Sequence, residues 1–281
     1  MSKIPVPLRH HNNAEHRKLL AEAINVGDYG FAVARGEVEG VSGVNKFGRC
    51  PDNLDSGVQS DIWDGAAAAY GTKIYVAPTT ARIHQIVSTS TDDDGDPVGV
   101  GARTIQVYGL TSWSTKEVSE TLTMNGTTNV PTVNAYVFIY RMKILTKGAT
   151  SSNVGVITAT ADTDSSVSAY ILAGNGQTLM AVYAIPSIQT LYVKGVWGAV
   201  NRAVTGVMDM RLLVNPEPDV ERTNFLHKQT VAINSAGNTD MYHPSDPPKV
   251  FAGPAIIKIA GWGSAGNMDV SAGFDAYLED N

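Results

Sequence analysis

The chain has 281 residues, 43% hydrophobic and 17% charged, which excludes global disorder and supplies enough apolar side chain for one large β domain or two smaller ones. A formal net charge of −6, with 21 Lys and Arg residues scattered along the chain, excludes the clustered basic footprint of a general nucleic-acid binder. The single cysteine, Cys50, excludes an intrachain disulfide framework and a cysteine-cluster metal site.

The N-terminal stretch MSKIPVPLRHHNNAEHRKLL has no apolar secretion segment, and no run approaches the roughly 18 apolar residues of a membrane span, so a soluble chain without a membrane partner is expected. Residues 11–25 read as a short helix: Asn12 or Asn13 can cap it, and Leu19, Leu20, Ala23 and Ile24 lie near one face. Residues 26–66 then mix glycines and charges with sparse apolar residues. Such a segment cannot offset its own ordering entropy and must lie against another surface, its own β domain or a second subunit.

From about Thr72 the period becomes two. Over 117–124, Val118, Leu122 and Met124 share one face of a strand, with Glu120 the misfit among them. Residues 133–145 place Val133, Ala135, Val137 and Ile139 on one side and Tyr136, Phe138, Tyr140 and Met142 on the other, as in a strand covered on both faces at the centre of the core. Further strands are expected over 177–185, 190–197, 206–214, 255–262 and 273–278. In the third of these, Met208, Met210, Leu212 and Val214 form the inward row against Asp209 and Arg211. Asn125-Gly126, Gly174-Asn175-Gly176, Asn215-Pro216, Gly237-Asn238 and Pro247-Pro248 supply turns. The expected fold is all-β: a jelly-roll-like antiparallel β-sandwich over 71–281, preceded by a short N-terminal helix and an extended arm over 1–70.

No catalytic signature emerges. Gly40-Val41-Ser42-Gly43 and Gly263-Ser264-Ala265-Gly266 lack the spacing of a nucleophile elbow, and Gly99-Val100-Gly101 precedes a strand instead of opening a helix, so it cannot aim helix-terminal amides at a phosphate. In Asp92-Asp93-Asp94-Gly95-Asp96, Pro97 and Arg103 occupy the positions where a calcium loop needs glycine and glutamate, and a solvated hairpin tip is the expected reading. His10, His11 and His16 lack the spacing that places two imidazoles on one helical face, and His84 reads as a strand residue with one face wet. Cys50 has no base nearby in sequence and reads as a structural thiol. Trp113, Trp197 and Trp262 fit core or interface packing, with a sugar groove as the less ordinary use. Neither an enzyme nor a cofactor is expected, although paired carboxylates on distant strands would leave no local mark.

The run FAVARGEVEGVSGVNKFGRCPDNLDSGVQSDIWDG, residues 31–65, resembles the start of a family of structural proteins of tailed-bacteriophage particles, in which "NKFGRNPD" leads to an acidic segment ending in "D-x-W-x-G". Phe47, Gly48, Arg49, Pro51, Asp52 and Ile62-Trp63 carry the likeness, with Cys50 standing where the pattern has asparagine. DDDGDPVGVGARTIQVYGL, residues 92–110, and GNGQTLMAVYAIP, residues 174–186, are similar to second and third shared blocks. The resemblance implies a virion component, foremost a decoration or cement protein on the head surface that binds the major capsid protein. A homotrimer is the expected state, because decoration commonly occupies threefold positions and symmetry multiplies weak contacts. The arm is then expected to lie along a neighbour, with Phe47 and Trp63 filling pockets while Lys46, Arg49, Asp61 and Asp64 fix orientation. The alternative is a tail- or fibre-associated module that recognises host-surface glycan.

Overall fold

The computed structural model describes residues 29–54, 57–65, 74–201, 206–234, 240–265 and 268–281. The helix expected over 11–25, the three histidines near it and the Gly237-Asn238 turn lie outside the described residues. The chain forms two compact units, residues 1–43 and 44–281. In the first, α1 (Tyr29–Ala34) ends at Gly36, whose φ of 71° lets its N–H reach back to the Val33 carbonyl at 2.9 Å.

The second unit is antiparallel β throughout its described sheets, organised around separate cores. Strand β1 (Val41–Leu54) and the short β2 (Gln59–Asp61) come first. Strands β3 (His84–Ser88), β4 (Ala102–Leu110), β5 (Val118–Thr123), β6 (Val130–Pro131), β7 (Phe138–Lys147), β8 (Ile157–Ala161) and β9 (Val167–Ile171) follow. The last group is β10 (Val182–Ile185), β11 (Gln189–Val200), β12 (Val207–Asn215), β13 (Leu226–Asn234), β14 (Asp240–Ala252), β15 (Ala255–Gly263) and β16 (Met268–Asp280).

One body pairs the sheet β1-β16-β11-β14 with the sheet β10-β15-β12-β13, and the inward rows of both fill a single core. Counting β1 and then β10 to β16 as eight strands, the sheets run first-eighth-third-sixth and second-seventh-fourth-fifth. The expected inward row of β12 sits here, with Met208, Met210, Leu212 and Val214 all buried and Asp209 and Arg211 on the opposite face. Cys50 is buried in the same core. The second body, β3 to β9, is inserted between β2 and β10: the sheet β6-β3-β8-β9 shares a core with β5-β4-β7. A third cluster of Trp63, Tyr75, Phe138, Tyr140, Val182 and Ile256, among others, draws on both bodies and joins them.

Several expectations are corrected. The boundary at 70/71 does not separate an arm from a sandwich, because β1 hydrogen-bonds with β16 as a full member of the first body and Leu54 and Ile62 lie in its core. The strand expected over 133–145 begins only at Phe138, and Val133 is 83% exposed. From Tyr136 to Tyr140 both faces are covered, Ile139 facing one core and Phe138 and Tyr140 another. The register with β4 slips there, Gly109 facing Ile139 and Tyr108 facing Arg141, so one extra residue returns Met142 to the side of Ile139. Glu120, the misfit of β5, accepts the N–H groups of Val133 and Asn134 at 2.7 and 3.1 Å and the Tyr136 hydroxyl at 2.8 Å. That carboxylate holds the non-strand lead into β7. His84 has no wet face: it is fully buried, Nδ1 lying 2.9 Å from the Arg82 carbonyl and Nε2 2.8 Å from Ser168 Oγ, and burial lowers its pKa.

Candidate functional site

The stretch that carries the resemblance is built into its own body. Asn45 Nδ2 donates to Asp275, and Arg49 Nε donates to Asp269 Oδ1 at 3.0 Å, so polar groups of β1 meet β16 across the sheet. Lys46 Nζ donates to the Tyr140 carbonyl at 2.6 Å. Burial lowers its pKa to about 7, with the like charge of Arg141 adding to the shift and Glu117 opposing it. Gly48 lies against backbone, where a Cβ would stand 2.1 Å from the Ile62 oxygen. Phe47 is 38% exposed, and the Arg49 side chain keeps 46% of its surface.

Asp61, Trp63 and Asp64 all point into the protein, at 0%, 3% and 1% exposure, which corrects the expectation that they reach a neighbouring subunit. Asp61 Oδ2 accepts Lys258 Nζ at 2.8 Å and the Tyr75 N–H at 2.7 Å, and the ammonium lies 3.9 Å from the centre of the Phe225 ring. Trp63 meets Tyr75 edge-on at 5.6 Å, and Tyr75 continues to Phe138 at 5.5 Å. Gly65 leaves room for the indole, since a Cβ there would stand 2.2 Å from the Trp63 ring. The D-x-W-x-G pattern therefore encodes a buried ion pair, an aromatic wedge and the glycine that admits it.

Asp64 clasps the third shared block. Its carboxylate accepts the Leu179 N–H at 3.2 Å, the Leu172 N–H at 3.4 Å and Asn175 Nδ2 at 3.3 Å, while Gly174 and Gly176 turn with φ of 84° and 73°. Burial dominates over these bonds and raises the Asp64 pKa to about 6. A carboxyl raised on folding favours the native state fully below its unfolded pKa near 4, and the benefit is lost as pH climbs through 6. The gap is worth at most about 3 kcal/mol. Urea midpoints measured at about pH 5 and about pH 7.5 are expected to fall more steeply with pH in the wild type than in Asp64→Asn. Equal slopes would assign the carboxyl no such role.

The second shared block is organised by one carboxylate. Asp93 is fully buried, correcting a wholly solvated tip; it accepts Ser88 Oγ at 2.6 Å and the N–H groups of Ala102, Val154 and Gly155 at 2.8, 2.9 and 2.8 Å. No cluster of His, Cys, Asp and Glu suited to a metal occurs among the described residues.

Two hollows have chemistry of interest. One, of about 360 Å³, is lined by Tyr75, Phe225, His227 and Lys258 beside the buried ion pair. A shallower groove of about 590 Å³ places Trp113 among Thr79, Thr80, Thr111, Ser112 and Ser187.

The exposed surface offers a different feature. On the outer face of the sheet β1-β16-β11-β14, Tyr192 stands opposite Val250 and Tyr277, and Trp197 opposite Tyr242. The Tyr242 ring lies over Gly195 and the Trp197 ring over Gly273, where added Cβ atoms would approach to 2.4 and 2.7 Å, so both rings seat close to the sheet. Tyr242 and Val250 remain 53% and 57% exposed. Their strand, β14, is a sheet edge without one buried residue in its 13. The residue-level pattern hides this strand: Pro244, Pro247 and Pro248 break the alternation by which strands are read. No family model, curated protein or solved structure matches the chain.

Proposed function

We propose that this chain is a non-enzymatic structural protein of a tailed-phage virion, a decoration or cement protein that assembles as a trimer and binds the major capsid protein on the head surface. The aromatic outer face along β11 and β14 carries this reading: five large side chains, Tyr192, Trp197, Tyr242, Val250 and Tyr277, aligned on one sheet face whose edge strand has no fully buried residue. A face of that kind fits a protein neighbour, since large rings with little rotamer freedom dominate interface energetics. The strand order first-eighth-third-sixth over second-seventh-fourth-fifth supports reading the first body as an eight-stranded jelly roll, an architecture of viral shell proteins and also of lectins and cupins. That support is a fold-level analogy, and the surface bears the argument. The triple prolines of β14 remove N–H donors from the edge, which favours docking through side chains over strand addition.

The test uses full-length protein and head shells lacking it. Light scattering at micromolar concentration is expected to give three times the monomer mass, and the protein is expected to co-sediment with shells. Tyr242→Ser with Val250→Ser should weaken association about tenfold or more, as loss of hot-spot residues does. A monomer that ignores shells overturns the reading. The Trp113 groove, bordered by hydroxyl side chains, favours a second reading as a glycan-binding module of the tail or a fibre; sugar binding abolished by Trp113→Ala, with no affinity for shells, would select it.

A further inference from the structure

We propose that the Asp61 carboxyl and the Lys258 amine condense within the folded chain to form an isopeptide bond, a covalent staple between β2 and β15. The inference is independent of the virion reading. Ala260 faces Asp61 across these strands, and Lys258 lies two residues along on the same face, so the amine reaches diagonally to the carboxyl. Nζ sits 2.8 Å from Oδ2, one bond from the carbon it would attack, and the two side chains are 3% and 0% exposed. Neither end can drift. β15 is held by β10 over Ala255–Lys258 and by β12 on its other side, while backbone bonds of 2.8 and 2.9 Å lock Ile62 to Ala181 and Ile259. Such fixation supplies the proximity an amide-forming step needs.

The two oxygens of Asp61 have different surroundings. Oδ2 accepts the Tyr75 N–H at 2.7 Å as well as the amine, whereas Oδ1 is buried with no hydrogen-bond partner among the described residues. Oδ2 is therefore placed to become the amide oxygen, the Tyr75 N–H receiving the negative charge that grows there during attack. Oδ1 is the oxygen that leaves. For the reaction a proton passes from the ammonium to Oδ1, leaving the amine lone pair available and Oδ1 as a hydroxyl. Burial raises the Asp61 pKa in the same sense, and the Phe225 ring covers Nζ on one side. The Nζ lone pair then forms the bond to Cγ, one Nζ proton joins the Oδ1 hydroxyl, and the Cγ–Oδ1 bond breaks to release water. Atoms and charge balance without an oxidant or co-reactant. The hollow of about 360 Å³ lined by Lys258 and Tyr75 lies beside the pair and offers the water a way out.

The test is the intact mass of the full-length protein, denatured and reduced. The expected mass is below the sequence value by about 18 Da, one water, and proteolysis should release a branched peptide joining the segments around Asp61 and Lys258. Lys258→Arg should restore the full sequence mass. A wild-type mass equal to the sequence value, with the two segments recovered as separate linear peptides, would overturn the proposal and leave an ion pair.

Discussion

Asp93→Ala is expected to lower the free energy of unfolding by about 4 kcal/mol or more, the range reserved for loss of a buried network. Four donors converge on this carboxylate: Ser88 Oγ and the N–H groups of Ala102, Val154 and Gly155. Alanine strands three backbone N–H groups in a site that a side chain had shielded from water, and each bond to an ionised acceptor is worth about 1.5–3 kcal/mol. A Cβ at Gly101 would lie 2.1 Å from the Asp93 oxygen, which shows how closely the backbone wraps the carboxylate. Asp93→Asn keeps the shape but turns an N–H₂ toward other donors, so an intermediate loss is expected. Denaturant unfolding measures both, and amide exchange should place the loosened backbone at residues 102, 154 and 155. A loss under about 1 kcal/mol for alanine would mean that the site refills with water at little cost.

Gly48→Ala should be comparably damaging for a steric reason. The added methyl would stand 2.1 Å from the Ile62 oxygen and 2.5 Å from the Ala181 nitrogen, atoms that are themselves joined by a hydrogen bond of 2.8 Å. Both neighbours are backbone, so no rotamer change relieves the clash; β1 must move away from the place where β2, β10 and β15 meet. A loss of about 3–5 kcal/mol is expected. Gly43→Ala is the control, since nothing lies within 4 Å of its Cβ position and a change within about 0.5 kcal/mol should result. Equal melting curves for the two variants would refute the close approach at Gly48.

These positions also explain what the resemblance to phage structural proteins rests on. Lys46, Gly48, Arg49, Asp61, Trp63, Asp64, Asp93 and Asn175 all bond or pack within the chain. These residues serve the fold of the chain itself, and the exposed Tyr242 and Val250 lie elsewhere, on β14.

The strand character of most of the chain was legible because burial on one face imposes a period of two. The inward row Met208, Met210, Leu212 and Val214 followed from that alone, while the composition of residues 26–66 demanded that they lie against a surface. Which surface was beyond local reading, since β1 finds its partner β16 more than 200 residues away, and the pairing depends on loops that the pattern of β1 does not encode. The same distance concealed Lys258 from Asp61, and Ala102, Val154 and Gly155 from Asp93: a charge reads as solvated until a remote strand supplies its donors. His84 misled for that reason too, its Ser168 partner lying 84 residues on. Composition and periodicity thus determined that this protein is β-built. Only the tertiary structure decided that the described residues bury three apolar clusters instead of one, that residues 41–54 of the apparent arm form a sheet strand, and that the aromatic outer face belongs to β11, β14 and β16, because all three depend on contacts between segments whose local sequences carry no mark of each other.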